Sequence, residues 1–255
     1  MMHLVVMDSI GATMGNGQVT EFRVGAVLAR SLGVLRNNIV PFGVLSVMFM
    51  AVPFVLTLML VPLFAGLGAG AGVGILPVVL IWILMYFMLS AVLMYGTISD
   101  LRGKRATIGE SLRWVLGLVF PIVGITIVAT LGIFAGVMLL VVPGLILLTM
   151  WWVAVPAAVV ERTGVGASLR RSTELTSGYR WPVFGVFITV YVVQMLLEFV
   201  ANRIFGGIEF LETLVSFVIS LFVIAFYAVV SAVSYHDLRV LKDGVDVDDI
   251  ARVFD

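Results

Sequence analysis

The chain contains no cysteine, so disulfides, thiolate metal sites and cysteine nucleophiles are excluded. Imidazole is nearly absent too, limited to His3 and His236. Charge is scarce: 12% of the 255 residues are charged and 62% are hydrophobic, with a mean hydropathy of +1.18. Soluble domains carry about 25% and about 45–50% of these classes, so the composition is that of an integral membrane protein. The net charge of zero removes the cationic surplus that a nucleic-acid partner would require. Residues 1–21 lack Lys and Arg, carry Asp8 and Glu21, and offer only the short apolar run Leu4–Met7. A cleavable signal needs a basic start and an apolar core of about 7–15 residues. The segment is therefore expected to be a mobile cytoplasmic tail, leading into a single membrane domain over residues 22–255.

Long stretches without charge locate the spans, each needing about 20 apolar residues. Nothing ionisable falls between Arg36 and Asp100, which leaves room for spans over 39–65 and 75–98. Between them lies GLGAGAGVG, residues 66–74. Its glycines miss the i, i+2, i+5 spacing of a dinucleotide loop and read as a tight uncharged turn. The next charge-free block, Trp114 to Val160, predicts spans over 118–139 and 142–160, with Pro143-Gly144 as either a turn or a kink. The last block predicts spans over 182–202 and 211–234, joined by an acidic loop. The expected fold is all-α: six transmembrane helices in three hairpins, each preceded by an amphipathic helix on the cytoplasmic face. Of the 15 Lys and Arg, only Arg203 falls in a far-side loop. The excess of positive charge on one side predicts cytoplasmic termini and a multi-pass protein of a prokaryotic cell (inner) membrane.

The stretch Glu161–Trp181, ERTGVGASLRRSTELTSGYRW, cannot cross a bilayer because an Arg at the membrane centre costs roughly 2.5–3.5 kcal/mol. It can lie along the surface, with Val165 and Leu169 turned toward lipid or protein and Arg170, Arg171 and Glu174 toward water. A relative of it begins at Gly25: at a constant offset of 141, Leu28 matches Leu169, Arg30 matches Arg171, Ser31 matches Ser172 and Pro41 matches Pro182. A third copy, GESLRW from Gly109, shares the Gly-x-Ser-Leu-Arg start and reaches Pro121 about one turn early. The exits match as well, with Asp100 and Arg102, Glu161 and Arg162, and Asp237 and Arg239 each placing an acid and an arginine past a helix end. One unit used three times, over about 22–99, 100–160 and 161–236, accounts for the pattern, with a short cytoplasmic tail over 237–255.

The run from Pro143 to Val186 and the tail YHDLRVLKDGVDVDDIA from Tyr235 resemble the membrane domain attached to some glycerophosphoryl diester phosphodiesterases, and related stand-alone prokaryotic membrane proteins. The shared features are Pro-Gly, an acid after the span, Ala/Ser-Leu-x-x-Ser, Leu-Thr-x-Gly and an aromatic. The resemblance implies six membrane helices and no assigned activity; the phosphodiesterase itself is a separate barrel for which this chain has no room.

No catalytic constellation emerges, and no cofactor or metal is implied. His236 beside Asp237 could form a base pair, but no nucleophile is tied to it. Asp243, Asp246, Asp248 and Asp249 lack the twelve-residue calcium loop and its closing Glu, and Asp246 to Asp249 fit better as the cap of a helix over 248–254. Inside the membrane, Gln194, Glu198 and Asn202 share one face of the fifth span at i, i+4, i+8, with Arg203 in reach of Glu198. Such a carboxylate is a candidate proton or cation site. Trp82, Trp151, Trp152, Trp181, Tyr95 and Tyr179 suit interfacial belts, and Gly124, Gly132 and Gly136, with Ala129 and Ala135, permit close helix approach. The candidates for contact with lipid or a partner are Arg30, Arg36, Arg102, Arg113, Arg162, Arg170, Arg171, Arg180 and Trp181. The expectation is a non-enzymatic scaffold or accessory subunit. It would bind anionic headgroups, a protein partner or a second copy in the membrane. The alternative is a transporter or lipid-handling protein with a cavity between the hairpins.

Overall fold

The computed structural model describes residues 21–66, 71–101 and 107–244, all of whose regular structure is helical. In order, the helices are α1 (Val24–Asn37), α2 (Ile39–Gly66), α3 (Ala71–Leu101), α4 (Ile108–Leu116), α5 (Val119–Leu139), α6 (Val141–Met150), α7 (Ala154–Glu161), α8 (Val165–Thr176), α9 (Arg180–Phe205) and α10 (Glu209–Asp243). Six stretches are long and apolar enough to cross a bilayer: α2, Pro77–Leu101 of α3, α5, α6 with α7, α9, and Phe210–Asp243 of α10. The chain is a multi-pass membrane protein. The expected tail 1–20, the centre of the glycine turn at 67–70, Arg102 and the helix over 248–254 lie outside the described residues.

Hydrocarbon offers no water to backbone groups, so helices that satisfy their own amides are the form these stretches take. Pro53 and Pro62 interrupt the hydrogen-bond ladder of α2. Near the first, Thr57 Oγ1 donates to the Pro53 carbonyl at 2.7 Å and accepts from Trp82 Nε1 at 2.9 Å, tying α2 to α3. Trp82 is thus an interhelical strut rather than a belt residue. The core is built from α3 and α10, where Leu89, Val92 and Leu93 meet Val229, Val230 and Val233, all fully buried.

The second apolar block departs from expectation in two places. Its turn is a single extended residue, Leu140 (φ −163°, ψ 145°), and Pro143 sits in the first turn of α6, where its missing N–H costs nothing. Pro143-Gly144 is therefore neither turn nor kink. The reversal is possible because Gly136 and Gly144 touch: a Cβ on Gly136 would lie 2.9 Å from Gly144 Cα, and one on Gly144 would lie 2.7 Å from the Val137 nitrogen. Cβ atoms on Gly124 and Gly132 would each lie 2.5 Å from a side chain, of Val165 and Trp151 respectively. Glycine supplies the close approach that helices need where lipid gives no hydrophobic drive to pack.

The second departure is a break in the predicted fourth span over Trp151–Val153. The freed backbone groups are met from elsewhere in the fold. Ser172 Oγ on α8 donates to the Met150 carbonyl at 2.7 Å and accepts the Val153 N–H at 3.2 Å. Pro156 has no N–H for the Trp152 carbonyl, and Ser231 Oγ on α10 donates to it at 2.9 Å. These bonds draw α8 back along α7, so that Leu169 and Ser172 are buried and Val165 packs on Gly124. At α4, Thr107 and Glu110 form a reciprocal cap, and the two Thr107 donors hold the Glu110 carboxyl below its ordinary pKa.

The glycine contacts yield a paired test. Gly144→Ala is expected to lower the unfolding temperature in detergent, at a cost of roughly 1–3 kcal/mol for overpacking. Gly33→Ala, where nothing lies within 4 Å of the new Cβ, should hold or raise it.

Candidate functional site

The end of the bundle that carries α1, α4 and α8 gathers most of the described ionisable groups. Its anchor is Asp237, fully buried on α10, which accepts two parallel hydrogen bonds from Arg30 of α1 at 2.8 and 2.7 Å. A fork-to-fork pair of this kind fixes both distance and orientation. His236 Nδ1 stands 3.4 Å from the same carboxylate, while its Nε2 is buried with no hydrogen-bond partner.

A second cluster lies a turn or two along α10. Arg171 of α8 donates from Nε to Glu161 at 2.9 Å and from its terminal nitrogen to Asp243. Burial alone would lower the Arg171 pKa; the Asp243 and Glu161 carboxylates more than offset this and raise it. Tyr235 donates to Glu161 at 2.9 Å and accepts from Arg239 at 3.1 Å, while Arg239 Nε lies 3.7 Å from Asp243, an ion-pair distance without a hydrogen bond. Across the two clusters Arg30, Arg171 and Arg239 balance Glu161, Asp237 and Asp243. The charges neutralise one another and leave no call for an added ion. No group of three metal-ligating side chains occurs among the described residues.

This geometry corrects several sequence expectations. The exit acids do not pair with the arginines beside them: Glu161 takes Arg171 rather than Arg162, and Asp237 takes Arg30 rather than Arg239. Arg30 and Arg171, expected to face lipid or a partner, are spent on these internal pairs. Arg162 closes α7 in the left-handed region (φ 50°), a conformation that costs a non-glycine residue about 1–2 kcal/mol. Its guanidinium lies 3.6 Å over the Trp114 ring, a cation–π contact that offsets part of that cost. Trp114 in turn donates to the Val159 carbonyl at 3.0 Å and packs on Tyr95 at 5.2 Å. Among the described residues Arg170 pairs only with exposed Glu174, at 3.4 Å.

At the other end, Gln194 donates to Glu198 at 2.9 Å and Asn202 to Glu212 at 2.8 Å, all on exposed surface. Arg203 does not pair with Glu198, and the face is not a buried ion site. Trp152 meets Phe187 and Tyr227 inside the bundle, with ring centroids at 5.8 and 6.1 Å, instead of lying in an interfacial belt. Trp181 is exposed as expected. Sequence reasoning passed over Trp114, Tyr235 and Ser231. Trp114 occupies the repeat position of Arg171, and that alignment was the one available signal for it. No family model, curated protein or solved structure matches this chain.

Breaking the Arg30–Asp237 pair from one side strands a buried carboxylate. Arg30→Ala is expected to cost about 3 kcal/mol, measured by thermal or denaturant unfolding in detergent. The double change Arg30→Met with Asp237→Leu should recover most of that loss.

Proposed function

We propose that the protein is a non-enzymatic scaffold or accessory subunit of a prokaryotic cell membrane that holds anionic lipid headgroups, or an acidic partner surface, along one face. Its six spans are read as three hairpins, each entered through a short interfacial helix (α1, α4, α8), with both termini in the cytoplasm and one ancestral unit repeated three times.

One observation carries this reading. In each unit the residue before the proline that opens the first span is apolar and strongly exposed: Val40 at 71%, Phe120 at 90% and Trp181 at 83%. An exposed arginine with no carboxylate partner among the described residues, Arg36, Arg113 or Arg180, precedes each by one to seven positions. Apolar groups at the acyl boundary beside cations at headgroup height fit an anionic membrane surface. A transporter would use the broken fourth span as its binding point. Here Ser172 and Ser231 already occupy the freed groups, which favours the scaffold.

Each such arginine attracts anionic lipid by about 1 kcal/mol. Reversing Arg36, Arg113 and Arg180 to Glu together is expected to reduce co-purifying anionic lipid roughly tenfold or more, with the unfolding temperature in detergent unchanged. Identical lipid and protein content in the purified variant would overturn the reading.

A further inference from the structure

The helix pairs α5–α6 and α9–α10 end differently at the side remote from α1, α4 and α8. The α9–α10 tip carries polar and charged groups beside exposed Ile204, Ile208 and Phe210: Arg203 is exposed, and Asn202 bonds to Glu212 across the turn. The α5–α6 tip is wholly apolar, and its five consecutive residues Met138, Leu139, Leu140, Val141 and Val142 are each between 62% and 79% exposed.

The tips also stand at different heights. Trp152 touches Phe187 and Tyr227, so these three residues mark one level. Leu140 lies twelve residues from Trp152, about 18 Å of helix. Phe205 and Glu209 lie eighteen residues from Phe187 and Tyr227, about 27 Å. Along α5 the reach is shorter still, since Gly132 rests against Trp151 and only eight residues, about 12 Å, separate it from Leu140. The apolar tip therefore stops at least ~9 Å below the polar one.

We propose that α5–α6 is re-entrant: its tip ends within the remote leaflet, against lipid acyl chains and ester groups, and never meets the aqueous phase beyond. This rests on the membrane placement proposed above and amends it in one respect: the second of the three hairpins enters the bilayer without emerging beyond it, and the other two cross completely. In water the five side chains would form a contiguous apolar patch of the sort monomers avoid; in acyl chains they cost nothing. The backbone fits the same place. The Leu140 N–H is bonded to the Gly136 carbonyl at 3.0 Å, and Pro143 has no N–H to satisfy. That leaves the first amides of α6, at Val141 and Val142, with no partner in their own helix. Glycerol-ester carbonyls at the base of the headgroups accept such donors. The single-residue reversal keeps the irregular backbone to the minimum that hydrocarbon tolerates.

The absence of cysteine makes the test direct, because each single-cysteine variant of the full chain carries one thiol. Leu140→Cys, Gly207→Cys and Ser177→Cys are treated in intact cells with a charged, membrane-impermeant maleimide, then again after detergent solubilisation. The expected result is labelling at Gly207→Cys in cells, at least tenfold slower labelling at Leu140→Cys, and equal labelling of the two in detergent. Equal rates in cells would overturn the proposal. So would protection of Leu140→Cys that persists in detergent, which would mean a protein cover instead of lipid. Labelling of Ser177→Cys from outside would overturn the assignment of sides rather than the re-entry, and the other two thiols are then compared from the opposite face.

Discussion

A polar group enclosed by apolar matter has no water to fall back on, and this constraint decides where every irregularity in the fold can occur. Three features obey it. The break at Trp151–Val153 is tolerated because hydroxyls of α8 and α10 replace the lost helical bonds. Asp237 is tolerated in full burial because Arg30 meets both of its oxygens. The reversal at Leu140 is tolerated because glycines bring its two helices together with one residue between them. The other described connections between helices are short, and lipid can cover the exposed Val, Leu and Phe side chains without cost.

The arginines at matched sequence positions 30 and 171 do comparable work. Each leaves a short helix to reach the end of an earlier or later span: Arg171 takes the acid that ends α7, and Arg30 takes the acid near the end of α10. In the middle segment Trp114 stands at that position and reaches Tyr95, near the end of α3. The short helices therefore each bind the close of another span, and the first helix binds the last. The same pairs explain why the basic stretches are less available to a partner than their composition implies. Among the described residues of these stretches, Arg36, Arg113 and Arg180 are exposed without a carboxylate partner.

The spans were legible because ions are excluded from lipid, and the charge-free blocks give five of the six to within about four residues, while α10 runs on to Asp243, through what was expected to be the start of the tail over 237–255. The shared apolar face of Val165 and Leu169 and the close glycines were legible from helical spacing and side-chain size, which are local properties; that this face meets protein rather than lipid came only with the structure. The partners of Glu161 and Asp237 were not. Adjacent arginines stand beside both acids in sequence, but the helix ends point those arginines elsewhere, toward Trp114 and Tyr235. The break in the fourth span was hidden because the hydroxyls that stabilise it lie about 20 and about 80 residues away. Nothing in the local pattern distinguishes Ser172 or Ser231 from serines that merely back-bond to their own helix, as Ser234 and Ser220 do.

Helix α10 runs 35 residues, far more than the roughly 20 that a bilayer requires, and its final turns carry Asp237, Arg239 and Asp243. It is also the last of the ten described helices to leave the ribosome. Until it arrives, Arg30 has been waiting through the synthesis of some two hundred residues without its carboxylate. The contact that fixes the first described helix is thus set late, after the nine described helices that precede α10 have been made. Shortening α10 so that it ends before Asp237 leaves the Arg30 guanidinium without that carboxylate.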